Sequence, residues 1–254
     1  MKNKKIFIFI SQFSIIFISL FLWEFLSRTN VINSFIFSSP LRVFKCIYSL
    51  LSQNLVYHIY ITLKETILAF FLSISISFVI AIIFYQFSTL FKIIEPFLTI
   101  INSTPKVAIG PLIIVLFGAG VKSIIIMALS ITLILNILSI YNGFINADKY
   151  LIKLLDTLNS SNKDKFKYLV IPSASKIIIN SLKINISMTL IGVIMGEFLV
   201  SKAGIGYLII YGTQVFNLTL VISGIIILMV MSYILYLLIN LIEKYLNKNI
   251  WHSL

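Results

Sequence analysis

Charge is the scarcest ingredient of this sequence. Asp, Glu, Lys and Arg make up 11% of its 254 residues, where soluble domains carry about a quarter. Apolar residues make up 59%, and the mean hydropathy is +1.06. An ordinary soluble domain is excluded on that balance, and a polytopic membrane protein is implied. Acids are scarcer than bases, 8 against 20, which leaves a net charge of +12. That surplus does not point to nucleic acid, because the lysines stand at the ends of hydrophobic runs and not on one soluble face. Cysteine is reduced to Cys46, which excludes an intrachain disulfide framework and a cysteine metal cluster. Neither G-x-x-x-x-G-K-[ST] nor H-E-x-x-H occurs, so the chain has no P-loop for ATP and no zinc-protease helix. The two histidines, His58 and His252, are too far apart in sequence and expected position to suggest a metal pair.

What the sequence has instead is length of greasy run. Stretches long enough for about 30 Å of hydrocarbon fall near Ile6–Leu26, Leu63–Phe87, Phe97–Phe117, Ile124–Phe144, Leu182–Leu199 and Leu218–Ile242. The expected fold class is therefore all-α, a polytopic membrane protein of about six transmembrane helices in one domain, 1–254. Pro105, Gly110 and Pro111 interrupt the third run. The opening MKNKK is basic, but its apolar run is longer than a signal-peptide core and no A-x-A-like site follows. It reads as a retained first span with Lys2, Lys4 and Lys5 in the cytoplasm. Six spans then place both termini in the cytoplasm of a bacterial inner membrane. Between the first two runs, Asn30–Tyr60 is too polar to span. Ser38–Pro40 gives a helix start, and Val43, Ile47, Leu50 and Leu51 follow at helical spacing, as in an amphipathic helix lying at the outer surface.

One long segment is polar: LLDTLNSSNKDKFKYLVIPSASKIIINSLK, Leu154 to Lys183. Lys149–Leu158 can form a short helix with Leu151, Leu154, Leu155 and Leu158 along one face. Asn159 to Asn162 would break it, since Asn tolerates the left-handed conformation that ends helices. Lys163–Val170 can form another turn or two carrying Phe166 and Leu169, and Pro172 suits the first turn of the next helix. Patterning leaves two readings open, a solvated loop whose lysines fix topology and a docking surface for a soluble partner.

Other polar residues lie in or beside the spans. Intramembrane carboxylates are costly and mark function or tight structure. Glu197 ends the fifth run with Lys202 close by, as for a structural ion pair or a gate contact. Glu65 follows Lys64, as for a local charge pair. The interrupted third span frees backbone groups around Asn102, Ser103 and Thr104, and Asn185, Ser187 and Thr189 on the fifth span could face them along a substrate path. The same residue types also glue helices together. A secondary transporter or channel uncoupled from ATP would show inverted repeats or several buried ionisable groups, and an intramembrane protease would need a buried catalytic His. The spans show neither.

Four stretches together resemble the permease subunits of binding-protein-dependent ABC importers, nearest the group for nitrate, sulfonate, taurine and pyrimidine-precursor uptake. GEFLVSKAGIGYLI (Gly196–Ile209) is very similar to that family's segment after the fifth span, including the turn at Gly204 and Gly206. STPKVAIGPLIIVLFGAG (Ser103–Gly120) resembles its broken third span, and WEFLSRTNVINSFIFSSPLRVF (Trp23–Phe44) its first-span exit. The polar segment resembles the EAA loop, with Leu169, Ile171 and Pro172 in register. Lys153, Leu154 and Leu155 stand where the family has Glu-Ala-Ala, and Asn159 where it has Gly. The resemblance implies a type I importer transmembrane domain with a coupling loop at about 147–181. It implies that Lys153, Leu154, Leu155, Leu158, Asn159, Phe166, Leu169 and Pro172 contact a cytoplasmic ATPase. It also implies that Glu197, Gly204 and Gly206 form a gate or turn. The chain itself would be no enzyme and would bind no cofactor, ATP and Mg being used by a separate ATPase dimer. Its other partners would be an extracytoplasmic binding protein, a second permease copy and membrane lipid.

Overall fold

The computed structural model describes residues 2–250, and among them every regular element is a helix. The side chains of Lys2, Lys4 and Lys5, and all of His252, lie outside the described residues.

Helix α1 (Lys2–Arg28) leads through a short α2 (Ser34–Phe37) into α3 (Pro40–Leu51). The start of α3 is written in its residues: Ser39 is the N-cap and accepts from the Arg42 N–H, and Pro40 opens the first turn, where a missing N–H costs nothing. Side-chain hydrogen bonds tie the C-terminal end of α1 to the segment that follows it. Trp23 Nε1 donates to the Phe37 carbonyl at 3.1 Å, Ser27 Oγ to that of Ser38 at 2.8 Å, and Glu24 accepts from the Leu41 N–H at 3.1 Å. Helix α3 does more than rest in an interface. Its Val43 and Leu50 are buried, and Leu50 packs with Leu220, Ile227 and Met231.

Helix α4 (Leu55–Gln86) begins eight residues before the apolar run expected at Leu63. The first turns carry Tyr57, His58 and Tyr60, polar enough to hide the helix from a hydropathy reading. The third run is two helices, α5 (Ser88–Ser103) and α6 (Lys106–Phe117), with axes 96° apart. Pro105 forces Thr104 into an extended conformation, and Lys106 Nζ then bonds the freed carbonyls of Ile101, Asn102 and Thr104. Helix α7 (Val121–Ile145) follows, then α8 (Lys149–Thr157), α9 (Asn162–Lys165) and a single wide turn, Phe166–Val170, in which Ile171 N–H bonds the carbonyl five residues back. It runs directly into α10 (Ile171–Val200), and α11 (Ile205–Gln214) and α12 (Leu218–Ile250) complete the chain. Five helices, α1, α4, α7, α10 with its preceding turns, and α12, are long and apolar enough to cross a membrane, and the bent α5–α6 pair makes a possible sixth.

Helix α7 is the centre, with α4 and α10 against it. In lipid, helices associate through close packing of small residues and gain little from burying apolar surface. The α7–α10 contact shows this: a Cβ at Gly192 would stand 2.6 Å from Ala128 Cα, and one at Gly196 2.8 Å from Ile124 Cα. Ala69, Ile124, Ala128 and Val193 close the same layer.

Gly192→Val is expected to destabilise the chain by about 1–3 kcal/mol, because the Ala128 backbone cannot retreat. Ile191→Val, on the exposed neighbouring position, is expected to change little. Thermal midpoints of the two variants in detergent, read by size-exclusion profile, check the contrast.

Candidate functional site

Helix α10 has expected site residues at each end, Phe166, Leu169 and Pro172 around its start and Glu197 near its finish. Over its 30 residues, at 1.5 Å each, the ends are about 45 Å apart.

At its N-terminal end lie α8, α9 and the wide turn. Asp148 caps α8 by accepting the Tyr150 N–H at 2.8 Å. Asn159, at φ +54°, ends it in the left-handed conformation, and the Ser160 N–H reaches back to the Leu155 carbonyl at 3.0 Å. Asn therefore does here what glycine does in other helix ends. Ser161 caps α9, accepting the Asp164 N–H, and Lys165 forms an ion pair with Asp156 across the turn. The two short helices are thus a braced unit and not a loose connector.

The expected ridge divides in two. Tyr150, Leu151, Leu154 and Leu158 are exposed, at 84%, 44%, 56% and 67%, and follow one another at intervals of one, three and four residues along α8 and its C-cap. Lys153 is exposed beside them, and Leu155 and Leu169 are half-buried. Phe166 points the other way: its ring sits 5.2 Å from that of Phe144 and 5.1 Å from that of Tyr85. Ile152, Phe166 and the buried Val170 join a cluster with Phe84, Phe91, Ile140, Tyr141 and Ala174. Pro172 is half-buried in the first turn of α10.

The expected substrate path is not assembled as one surface. Asn102, Ser103 and Thr104 sit at the outside of the α5–α6 bend, with Ser103 and Thr104 exposed. Asn185 and Thr189 are buried within the α10 packing, and Ser187 lines a groove with Leu190, Ile194, Leu228 and Met229 between α10 and α12. It is α6, not the bend, that meets α10, through Gly110 beside Met127 and Leu199. A polar seam that sequence reasoning missed runs between α4 and α7. Asn136 Nδ2 donates to Ser73 Oγ at 2.7 Å, Ser77 Oγ to the Leu133 carbonyl at 3.2 Å, and Thr66 and Thr132 are fully buried. Residues of this kind are sparse in both helices, and only their meeting across the contact gives them meaning.

At the far end of α10, Glu197 is fully buried, and the ion pair with Lys202 suggested by their nearness in sequence does not form. Lys202 is exposed. The carboxylate turns inward instead. Its Oε1 accepts from Thr62 Oγ1 at 2.7 Å and its Oε2 from the Gly206 N–H at 2.6 Å. Thr62 Oγ1 in turn accepts the Ile205 N–H at 2.8 Å, and His58 Nδ1 accepts the Gly204 N–H at 3.0 Å. Three successive amides at the start of α11, which no intrahelical carbonyl can satisfy, are therefore bonded by α4 and α10. Gly204 is required twice over: its φ is +110°, and a Cβ there would stand 2.3 Å from the Glu197 carboxyl carbon. Glu65 does not pair with Lys64. It is buried at 3% exposure, and its Oε2 has no hydrogen-bond partner among the described residues. Nothing in the sequence signals the meeting of Glu197 with Thr62, because the two residues are 135 positions apart.

Comparison with known proteins agrees with this architecture. Residues 73–252 match the family described as "Binding-protein-dependent transport system inner membrane component". An ABC transporter permease protein of Haemophilus influenzae is 27% identical over 237 residues, covering 93% of this chain and 95% of that one. The aliphatic sulfonates transport permease protein SsuC of Bacillus subtilis is 24% identical over 231 residues, covering 89% and 83%. Among solved structures, inward-facing MetNI, the methionine ABC transporter, superposes with a TM-score of 0.66 at 16% identity, over 77% of this chain and 97% of that one, and shares its fold. With the matched region running from the middle of α4 to the chain's end, this multi-pass membrane protein belongs to the family of inner membrane components of binding-protein-dependent transport systems.

Proposed function

We propose that the chain is the permease subunit of an ATP-driven importer, in which α8 and α9 dock a separate cytoplasmic ATPase and the spans form the path of a small solute. The ridge on α8 carries this reading. Most of the chain's exposed apolar residues lie on spans, where lipid can cover them. Tyr150, Leu151, Leu154 and Leu158 stand instead on a short, polar-flanked helix outside the spans, with Lys149 and Lys153 beside them. Exposed apolar surface with a polar rim is what a protein partner covers. The absence of a P-loop sequence assigns ATP and its Mg to that partner.

The orientation follows from the same assignment. With the bent α5–α6 pair counted as one crossing, an ATPase-facing α8 puts both termini in the cytoplasm, in accord with the basic opening stretch. The Glu197 turn then lies at the extracytoplasmic face, where a binding protein would deliver its solute to a pair of permease copies. The solute belongs to the sulfonate, taurine, nitrate or pyrimidine-precursor class, the first of these being the one named for the Bacillus relative.

Within the docking segment, exposure assigns the roles. Leu154 and Leu158, with Lys153 at the rim, are the contact positions. Asn159 fixes the angle between α8 and α9, and Phe166 fastens the unit to α4 and α7. A push on α8 then reaches the spans through the contact of the Phe166 ring with those of Tyr85 and Phe144.

Two measurements separate contact from fastening. Leu154→Glu with Leu158→Glu is expected to cost about 2 kcal/mol or more of docking energy. Recovery of a P-loop ATPase with the tagged chain from native membranes, scored by mass spectrometry, then falls more than tenfold, while the thermal midpoint of the isolated chain stays unchanged. Undiminished recovery would refute the docking assignment. Phe166→Ala is expected to do the reverse to the chain alone, lowering its thermal midpoint through a loss of about 3–5 kcal/mol of packing, or somewhat less for this half-buried ring.

A further inference from the structure

Two buried side-chain oxygens lack a hydrogen-bond partner among the described residues, Asn136 Oδ1 and Glu65 Oε2. Asn136 is at least held through its amide nitrogen, which donates to Ser73 inside the α4–α7 seam. Glu65 takes part in none of the ion pairs among the described residues, which are Glu24–Arg28, Asp156–Lys165 and Lys183–Glu243. A buried carboxyl oxygen without a donor is costly and calls for a physical account. The donors around it are committed elsewhere. The Thr62 hydroxyl and the Gly206 N–H bond Glu197, and the Ile205 N–H bonds Thr62. Lys64, next in the chain, is exposed.

Glu65 is also part of the wall of a recess of about 390 Å³. The recess lies between the first turns of α4, which supply Tyr57 and Glu65, the α6–α7 connection at Gly120, and the turn after α10, which supplies Ser201 and Lys202. Its volume is many times the roughly 30 Å³ share of one water, so it can take a solute of several heavy atoms. Lys202 is exposed and is absent from every ion pair among the described residues. The same recess is thus lined by an acid with an acceptor to satisfy and by a base without a counter-ion. An ammonium group has three donors and no acceptor, which suits the first, and the Tyr57 ring in the same wall favours a cation. A sulfonate or carboxylate suits the second.

We propose that this recess binds a small zwitterion, with its amine at Glu65 and its acid group at Lys202. Ile61 and Val200 line the space with apolar surface, which fits a short carbon link between the two charges. The proposal rests on the importer reading in one respect: that reading puts the recess at the extracytoplasmic face, where a solute arrives. Among the solute classes of that reading, it selects molecules that carry an amine as well as an acid. A plain sulfonate or nitrate leaves the Glu65 oxygen without a donor and loses that contact.

A scintillation proximity assay on the full chain in lipid nanodiscs tests this, with radiolabelled taurine and β-alanine as the probes. Unlabelled ethanesulfonate, which has the acid but no amine, is expected to compete about tenfold less well than unlabelled taurine. Glu65→Gln is expected to weaken probe binding about tenfold or more and to bring taurine and ethanesulfonate close to parity. Lys202→Gln, at an exposed position, is expected to weaken both. No saturable binding of either probe overturns the proposal, as does ethanesulfonate competing equally with taurine on the wild type. If Glu65→Gln does not fold, the ligand comparison on wild type and Lys202→Gln decides the matter alone. The importer reading is judged separately by recovery of the ATPase. Zwitterion binding without a recovered ATPase removes that reading and keeps the site, and the converse removes the site alone.

Discussion

The fold depends on the seam where α10 lies against α7 without side chains between them. Lipid tails are as apolar as Leu and Ile, so the association of α4, α7 and α10 cannot come from hiding apolar surface. It comes from approach close enough for backbone to touch backbone. Gly192 against Ala128 and Gly196 against Ile124 allow that approach, and Ala69 and Val193 fill the remaining space. The close approaches fall in both halves of α10, at Gly192 and Gly196 near its C-terminal end and at Ala174, against Gly143, near its N-terminal end. The braced α8–α9 unit sits at its N-terminal end and the Glu197 hub at its C-terminal end. Each is anchored to α4 as well, through Tyr85 at the first and Thr62 at the second. Helices α4 and α10 are thus joined at both ends with α7 between them.

How much of this the residues announce depends on distance along the chain. Features set by neighbours in sequence are legible. Ser39-Pro40 starts α3, Pro105 breaks the third span, and Asn159 ends α8 with the left-handed backbone its side chain permits. Features set across the membrane are not. Glu197 beside Lys202 reads as an ion pair because sequence displays only the near neighbour, whereas its bonded partner on α4, Thr62, lies 135 residues away. Desolvating an ammonium as well as a carboxylate would have cost more than accepting two hydrogen bonds from groups already buried. The α4–α7 polar seam escapes for the same reason, since a lone Ser or Asn in an apolar run carries no direction.

Phe166 shows a different failure, one of phase. The family resemblance groups it with Leu154, Leu155, Leu158 and Leu169 as positions that contact one partner. The structure inserts a change of axis at Asn159 and a turn of five residues between Phe166 and Ile171, so the 3.6-residue period does not carry from α8 to α10. Leu151, Leu154 and Leu158 before the break face outward, while Ile152 and Phe166 face the core. Wide turns of this kind occur inside helices mostly where function requires an extra residue. Here the extra residue keeps Phe166 and Val170 both turned to the cluster while the chain enters the first turn of α10 at Pro172.

The two ends of α10 are stabilised by unlike means, and that difference bears on how the chain works. Aromatic packing at the loop end depends weakly on ionic conditions and transmits force whenever the rings stay in contact. The hub at the other end is polar and nearly dry, where each hydrogen bond is worth more than in water and each unpaired charge costs more. A dry polar cluster has two settings and little between them: fully bonded, as with Glu197 holding Thr62 and Gly206, or open to water.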